Sequence, residues 1–343
     1  MKEAFPAMVA NRALCARLRN DVLDDKLSHA YIVEGPVGSG KHTLARNLAA
    51  AISCENRTSA EHPLPCGVCP SCKKILGGFS TDVIVKSRED KATLGVDVVR
   101  EVRQDVYVAP HESRAKVYII EEAHLMTVQA QNAFLLTLEE PPSYAVFLLL
   151  CESATPLLET VRSRAPTLRT EPISTAEIDA YLTRTSTEAA SLKQTAPQEY
   201  SEILAAANGC IGHAIALLDP KARKPITARR QLAREFVRLC AARKHAHSTM
   251  RFLNTLSQKR DELSEQLLTL QICLRDLLLC KQTEQAPLCF FTDREEALSL
   301  AYGFTTPTLL SLCDSVQEAI DRLQSNANVN LTLTALALRA ELL

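Results

Sequence analysis

The stretch AYIVEGPVGSGKHTLARNLAAAI, residues 30–52, decides how this chain is read. It opens with an apolar run of strand length ending at Glu34–Gly35. It closes with a segment from Lys41 that sets Leu44, Leu48 and Ile52 at helical spacing. Strand, glycine-rich loop and helix in that order form the context in which GxxxxGK[ST] cradles phosphate: glycines let backbone N–H groups crowd around phosphate oxygens, and the lysine reaches the β/γ-phosphates. Gly35, Pro36, Gly38, Ser39, Gly40 and Lys41 fit that pattern, against the bland reading of an incidental glycine turn. The last position does not fit. His42 stands where a hydroxyl should ligate Mg²⁺, and imidazole suits a hard, oxygen-preferring ion poorly. Thr43 has the hydroxyl but points about 100° away around the helix. The loop can therefore take a nucleotide while its metal is badly served.

Outward from this stretch, TDVIVK (81–86), KVYIIEE (116–122) and AVFLLLC (145–151) are further strands. VDVVREVRQDV (96–106) and QAQNAFLLTLEEPP (129–142) are helices, the first with Val98, Val102 and Val106 inward. The second turns Ala130, Phe134 and Leu138 inward and stops at Pro141–Pro142. Strands apolar on both faces, alternating with helices, predict a parallel sheet covered on both sides, an α/β domain. After PTLRTEPIS (166–174) the pattern turns helical. A small helical group spans 175–218, DPKARKP (219–225) reads as a linker, and helices fill the rest, with apolar stripes in REFVRLCAA (234–242) and LLTLQICLRDLLLC (267–280). The expected division is 1–172, 173–220 and 221–343.

The 343 residues carry a net charge of −1, which gives no global reason for tight binding to DNA. No apolar run approaches the roughly 18 residues of a membrane span, and the N-terminus lacks a signal-peptide core, so the expected location is cytoplasmic. In that compartment, twelve cysteines argue for thiols or metal ligands over disulfides. CENRTSAEHPLPCGVCPSC (54–72) holds Cys54, Cys66, Cys69 and Cys72, two overlapping CxxC spacings with a fourth thiol upstream. That set suits a closed tetrahedral structural Zn²⁺ site better than a redox CxxC, and leaves His62 unneeded. The other cysteines are scattered, most of them on apolar stripes as small buried hydrophobes.

A strand followed by two acids commonly supplies a magnesium ligand and a water-activating base. Here the pair is Glu121–Glu122. Glu122 retains a base, whereas Glu121 is long by a methylene for an octahedral ion. The departures at His42 and Glu121 thus bear on the same Mg²⁺. The bland alternative is a pair of solvated acids at a strand end.

LSHAYIVEGPVGSGKHTLA, the cysteine-rich knuckle after the first helix, KVYIIEEAHLMTVQAQNAFLLTLEEPP, ETVRSR (159–164) and NANVNLTLTALAL (326–338) together resemble the AAA+ clamp-loader subunits of bacterial DNA polymerase III. The resemblance implies a P-loop domain with an inserted zinc knuckle, a helical lid and an all-α collar that oligomerises. It also implies ATP or ADP in the loop, gamma/tau and delta subunits as ring partners, and action on the sliding clamp and primed DNA through the complex. Within the family, the position matching a lid-helix sensor arginine is Gly212, and the sensor position after the fourth strand is Glu152. With His42 and Glu121, these departures resemble the non-hydrolysing delta-prime branch, as does a chain ending at 343 without a tau-type extension. Arg164 matches the arginine of the family's Ser-Arg-Cys motif, with Ala165 in place of the cysteine, and would stabilise charge on a neighbouring subunit's nucleotide. Arg162 is the competing candidate, and a solvated arginine the bland one. His29 and Tyr31 resemble family positions near the base pocket, where lone residues are more often packing, and Asp82, Asp97 and Arg100 match recurring family positions without a specific chemistry. Three other readings remain: an ATP-hydrolysing gamma/tau-type subunit, a zinc-containing nucleic-acid-binding module with an idle P-loop, and a free-standing P-loop kinase.

Overall fold

The computed structural model describes residues 4–58, 62–88, 92–242, 251–283, 288–325 and 327–341. Asn326, the first residue of the C-terminal stretch singled out above, lies outside them, as do residues 59–61 of the cysteine-rich insert. The chain divides into two compact units, Met1–Tyr181 with Cys210–His213, and Leu182–Gly209 with Ala214–Leu343.

The first unit is built on five parallel strands: β1 (Ala30–Glu34), β2 (Val83–Lys86), β3 (Lys116–Ile120), β4 (Ala145–Cys151) and β5 (Thr167–Arg169). They lie in the order β2-β3-β4-β1-β5. Strand β4 shows why both faces must be covered, since all seven of its residues are buried. Val146, Leu148 and Leu150 join one core with Tyr31 and Val33 of β1 and with α1 (Arg12–Leu23) and α2 (Lys41–Ile52). Phe147, Leu149 and Cys151 face the other core, with α4 (Val96–Asp105) and α5 (Val128–Glu139). In that second core Phe147 stacks on Tyr118 and meets Phe134 edge-on, both at 5.3 Å between ring centres. Helix α4 turns Val99 inward beside Val102 and Val106, while Val98 is only half-buried. The apolar face is thus shifted by one residue from the four-residue spacing read in the sequence.

The register aligns the strands' C-terminal ends: Glu34 is level with Cys151, and Ile120 with Leu149. The phosphate loop after β1, the acids after β3 and Glu152 after β4 therefore emerge at one edge, where ligands of open α/β sheets bind. Helices α3 (Pro70–Leu76) and α6 (Glu159–Arg162) complete this unit's own helices. Helices α7 (Thr175–Thr185) and α10 (Ile211–Ala216) contain points at which the chain passes between units.

The described part of the second unit is helical: α8 (Thr187–Thr195), α9 (Pro197–Ala206), α11 (Pro220–Ala241), α12 (Arg260–Gln282), α13 (Arg294–Ala301), α14 (Thr306–Gln324) and α15 (Val329–Glu341). The linker expected at 219–225 is instead the start of α11. Asp219 caps the helix by accepting the Lys221 N–H at 2.9 Å, and Pro220 takes the first-turn position that needs no N–H. The stripe in 267–280 is the core face of α12: Leu267, Leu270, Cys273, Leu274 and Leu277 are buried. On the same helix Asp276 is fully buried and accepts the N–H groups of Cys289, Phe290 and Phe291 at 2.7–3.2 Å.

Asp82, just before β2, plays a comparable part in the first unit. It is 1 % exposed and accepts the N–H groups of His111, Glu112 and Ser113 at 2.7–2.9 Å. Burial pushes its carboxyl up, but the three donors outweigh that and leave it below the ordinary value. A carboxylate depressed in the folded state stabilises fully above about pH 4 and loses that contribution as acid protonates it. Asp82→Ala should cost about 2–4 kcal/mol at neutral pH by orphaning these donors. Urea melts at pH 7 and pH 3 should show the gap to wild type narrowing in acid; equal gaps at both would contradict this role.

Candidate functional site

The loop after β1 is closed around its own lysine. Lys41 is 7 % exposed and its Nζ donates to the carbonyl of Pro36 at 2.8 Å and, in a shorter contact, to that of Gly35. Burial lowers its pKa, against the carboxylate of Glu152, which raises it. Ser39 Oγ lies 2.8 Å from Thr170 Oγ1, so β5's exit holds the loop's middle. Gly40 starts α2 at φ 90°, and Gly38 has φ 78°.

Gly38 also meets the segment carrying the expected sensor position. Its carbonyl accepts the N–H of Gly212 at 3.0 Å. A Cβ on Gly212 would fall 2.8 Å from the Gly38 Cα, and one on Gly38 would fall 2.6 Å from the His213 nitrogen. Two glycines are thus required for backbones to touch here, and position 212 faces the loop with no side chain.

The two departures at the metal position touch each other. His42 Nδ1 lies 2.9 Å from Glu121 Oε1, bridging the loop helix and the strand end directly. Glu122, at φ 50°, is 2.7 Å from Arg88 Nε, so the candidate base has a cationic partner. Thr43 is exposed at the helix start, as is His42. Glu34, the last residue of β1, was not singled out in the sequence. It accepts the Ala154 N–H at 3.0 Å and Arg169 Nε at 2.9 Å, which together lower its pKa despite partial desolvation. It pins the turn that carries the exposed Glu152. A charged residue closing an otherwise apolar strand was the available signal.

Cys54, Cys66, Cys69 and Cys72 are all buried, and their sulfurs lie within 4.8 Å of one another. A tetrahedral Zn–S bond near 2.3 Å implies sulfurs about 3.8 Å apart; Cys66 and Cys72 stand at 3.9 Å. The Cys69 N–H points to Cys66 Sγ and the Cys72 N–H to Cys69 Sγ, each at 3.4 Å. Burial raises the Cys66 thiol, yet the N–H groups of Cys69 and Val68 bring it down to about 6, while burial pushes Cys54 and Cys72 up. The set fits zinc as a structural ion. His62 is not in the cluster.

Arg164 lies at the opposite edge of the sheet from the phosphate loop. It follows α6 and precedes β5, whose Thr167 is level with Ile32 in mid-β1. Its guanidinium reaches Glu139 at the C-terminal end of α5, 2.7 Å away, and the Thr160 carbonyl at 3.0 Å. Helix α5 runs from the β3 exit to the β4 entrance over 12 residues, about 18 Å of rise. Arg164 is therefore directed away from this chain's own loop. Gln131, buried in α5, holds the approach to α6 by accepting the Leu158 N–H at 2.7 Å and donating to Met126 O at 3.1 Å.

Tyr31 is buried and its hydroxyl accepts the Ser28 N–H at 2.8 Å. His29 Nε2 is buried without a hydrogen-bond partner among the described residues. Asp97 and Arg100 form an exposed pair at 3.3 Å. Arg162 is exposed.

Residues 10–174 match the family described as DNA polymerase III, delta subunit. The tau subunit of DNA polymerase III from Bacillus subtilis is 35 % identical over 219 residues, 63 % of this chain and 37 % of that protein. The gamma subunit from Buchnera aphidicola is 31 % identical over 180 residues, 52 % of this chain and 48 % of that protein. The chain thus spans less than half the length of these relatives. A gamma-subunit-related protein of known structure from Thermotoga maritima aligns over 95 % of this chain and 98 % of its own at TM-score 0.44 and 17 % identity, too weak a likeness to carry weight.

Two outcomes test the site. The purified protein should carry about one zinc per chain, released together with a fall in melting temperature on chelation or as acid protonates the thiolates. Protein made in zinc-replete medium without stoichiometric metal would contradict the cluster's assignment. Separately, Gly212→Ala should destabilise the first unit by about 1–3 kcal/mol through overpacking against Gly38; denaturant melts showing no change would mean that the two backbones are not packed in solution.

Proposed function

We propose that this chain, whose residues 10–174 are of the DNA polymerase III clamp-loader type, is a clamp-loader subunit of the delta-prime kind: an AAA+ member that does not itself hydrolyse ATP. One observation carries this reading. The His42–Glu121 contact spans the place where a hydroxyl and a shorter carboxylate would share Mg²⁺. An imidazole and a carboxylate that satisfy each other leave the ion no ligand pair there. Gly212 adds no cation toward the phosphates, and Glu152 adds an anion. The loop could hold ATP or ADP through its N–H groups and Lys41.

The subunit's contribution would be made outward. Arg164 stands on the far edge of the sheet, where it would meet the nucleotide of a gamma/tau-type neighbour and stabilise charge on the transferred phosphoryl group. The zinc knuckle would be a structural insert. Residues 173–220 would act as the lid and the C-terminal helices as this subunit's share of a collar, in a ring with gamma/tau and delta subunits. The ring would act on the sliding clamp and primed DNA.

A second reading, a hydrolysing gamma/tau-type subunit, draws on the tau and gamma relatives and on the retained Lys41, Thr43 and Glu122. ATP turnover separates the two. The isolated chain should show no Mg²⁺-dependent hydrolysis; activity abolished by Lys41→Ala would favour the second reading. In a complex reconstituted with a gamma/tau-type ATPase, Arg164→Ala should lower turnover at the neighbouring site by about 10³-fold, and unchanged turnover would refute the trans role.

A further inference from the structure

We infer that Glu139 is a positioning residue for Arg164: the end of α5 holds the guanidinium in the orientation it presents to a neighbouring nucleotide. The inference rests on the trans role proposed above and deepens it.

Three observations converge. First, Glu139 accepts from Arg164 Nη2 at 2.7 Å, while Nη1 donates to the Thr160 carbonyl at 3.0 Å. A planar guanidinium tied at two points from two elements has its plane fixed, and it still has Nε–H and its remaining hydrogens for an anion. Second, the acid sits where local rules disfavour it. Glu139 is the last residue of α5 and Glu140 its cap, at the negative end of the helix dipole, and the last turn holds no basic residue. A carboxylate there is unfavourable unless a cation answers it, and among the described residues the cation that does so is Arg164. A residue that breaks a local preference and is compensated only by one functional side chain is the pattern expected at a site. Third, α5 grips the same loop at its other end: Gln131, 2 % exposed, accepts the Leu158 N–H. The segment from Leu158 to Arg164 is therefore held on one helix at both ends.

Exposure sets the scale. Arg164 and Glu139 side chains are 36 % and 44 % exposed, so the pair adds little to folding, and its effect should lie in geometry. Misplacing a charge-stabilising group by about an ångström can cost up to about 10²-fold in rate.

The test uses the complex reconstituted with a gamma/tau-type ATPase, Mg²⁺-ATP and primed DNA. Glu139→Ala should lower maximal turnover about tenfold, leave half-saturating ATP unchanged, and shift the melting temperature of the isolated chain by no more than about 3 °C. Glu139→Gln, which keeps the acceptor oxygen, should recover most of the turnover. Arg164→Ala is run alongside. If Arg164→Ala suppresses turnover while Glu139→Ala runs at or above the wild-type rate, Glu139 does not position the arginine and this inference alone is overturned. If Arg164→Ala has no effect, the trans role fails and the inference falls with it. Loss with Glu139→Ala that Glu139→Gln does not restore would also overturn it.

Discussion

Burial of the central strands on both faces is the constraint from which the rest follows. Strand β4 is inaccessible along its whole length, and β3 likewise. Polar chemistry is thereby driven to the two ends of the sheet. Because the strands are parallel, those ends differ. One gathers the loop after β1, the acids after β3 and the turn after β4; the other gathers the C-terminus of α5 and the start of β5. The loop after β1 and Arg164 thus lie at opposite ends of one domain, as the proposed trans role requires.

The contacts at the receiving end form a closed set. Lys41 is turned onto its own loop's carbonyls, His42 and Glu121 satisfy each other, Glu122 faces Arg88, and Gly38 meets Gly212 backbone to backbone. Most of these stand at positions whose residues, in a hydrolysing site, are directed at nucleotide, metal or water. A nucleotide would have to displace the lysine's contacts, and a metal would have to break the His42–Glu121 pair. The departures at His42 and Glu121 are coherent in the proposed reading, in which a side-chain contact stands where an ion would.

Much of this was legible in the sequence, for a physical reason. The strand–loop–helix at 30–52, the apolar strand β4 and the helix ended by Pro141–Pro142 are local patterns, in which neighbours in sequence fix the outcome. The gathering of the four cysteines was legible because two overlapping CxxC spacings set three thiols on one tight turn. The failures were also local. Two prolines made 219–225 look like a linker, although proline at the first turn after an aspartate cap starts a helix, and α4 turned Val99 inward in place of Val98. What the sequence could not display were single polar residues whose partners are distant: Glu34 with Ala154, Asp82 with 111–113, Gln131 with Leu158, Glu139 with Arg164. Their roles exist only once the sheet has brought those segments together.

The most direct measurement is a structure of the reconstituted complex trapped with Mg²⁺ and a non-hydrolysable ATP analogue. The account predicts the Arg164 guanidinium within hydrogen-bond distance of a neighbouring subunit's γ-phosphate, and His42 still paired with Glu121 in this chain with no metal between them. An octahedral Mg²⁺ ligated by Glu121 in this subunit, or Arg164 remote from every triphosphate, would contradict it.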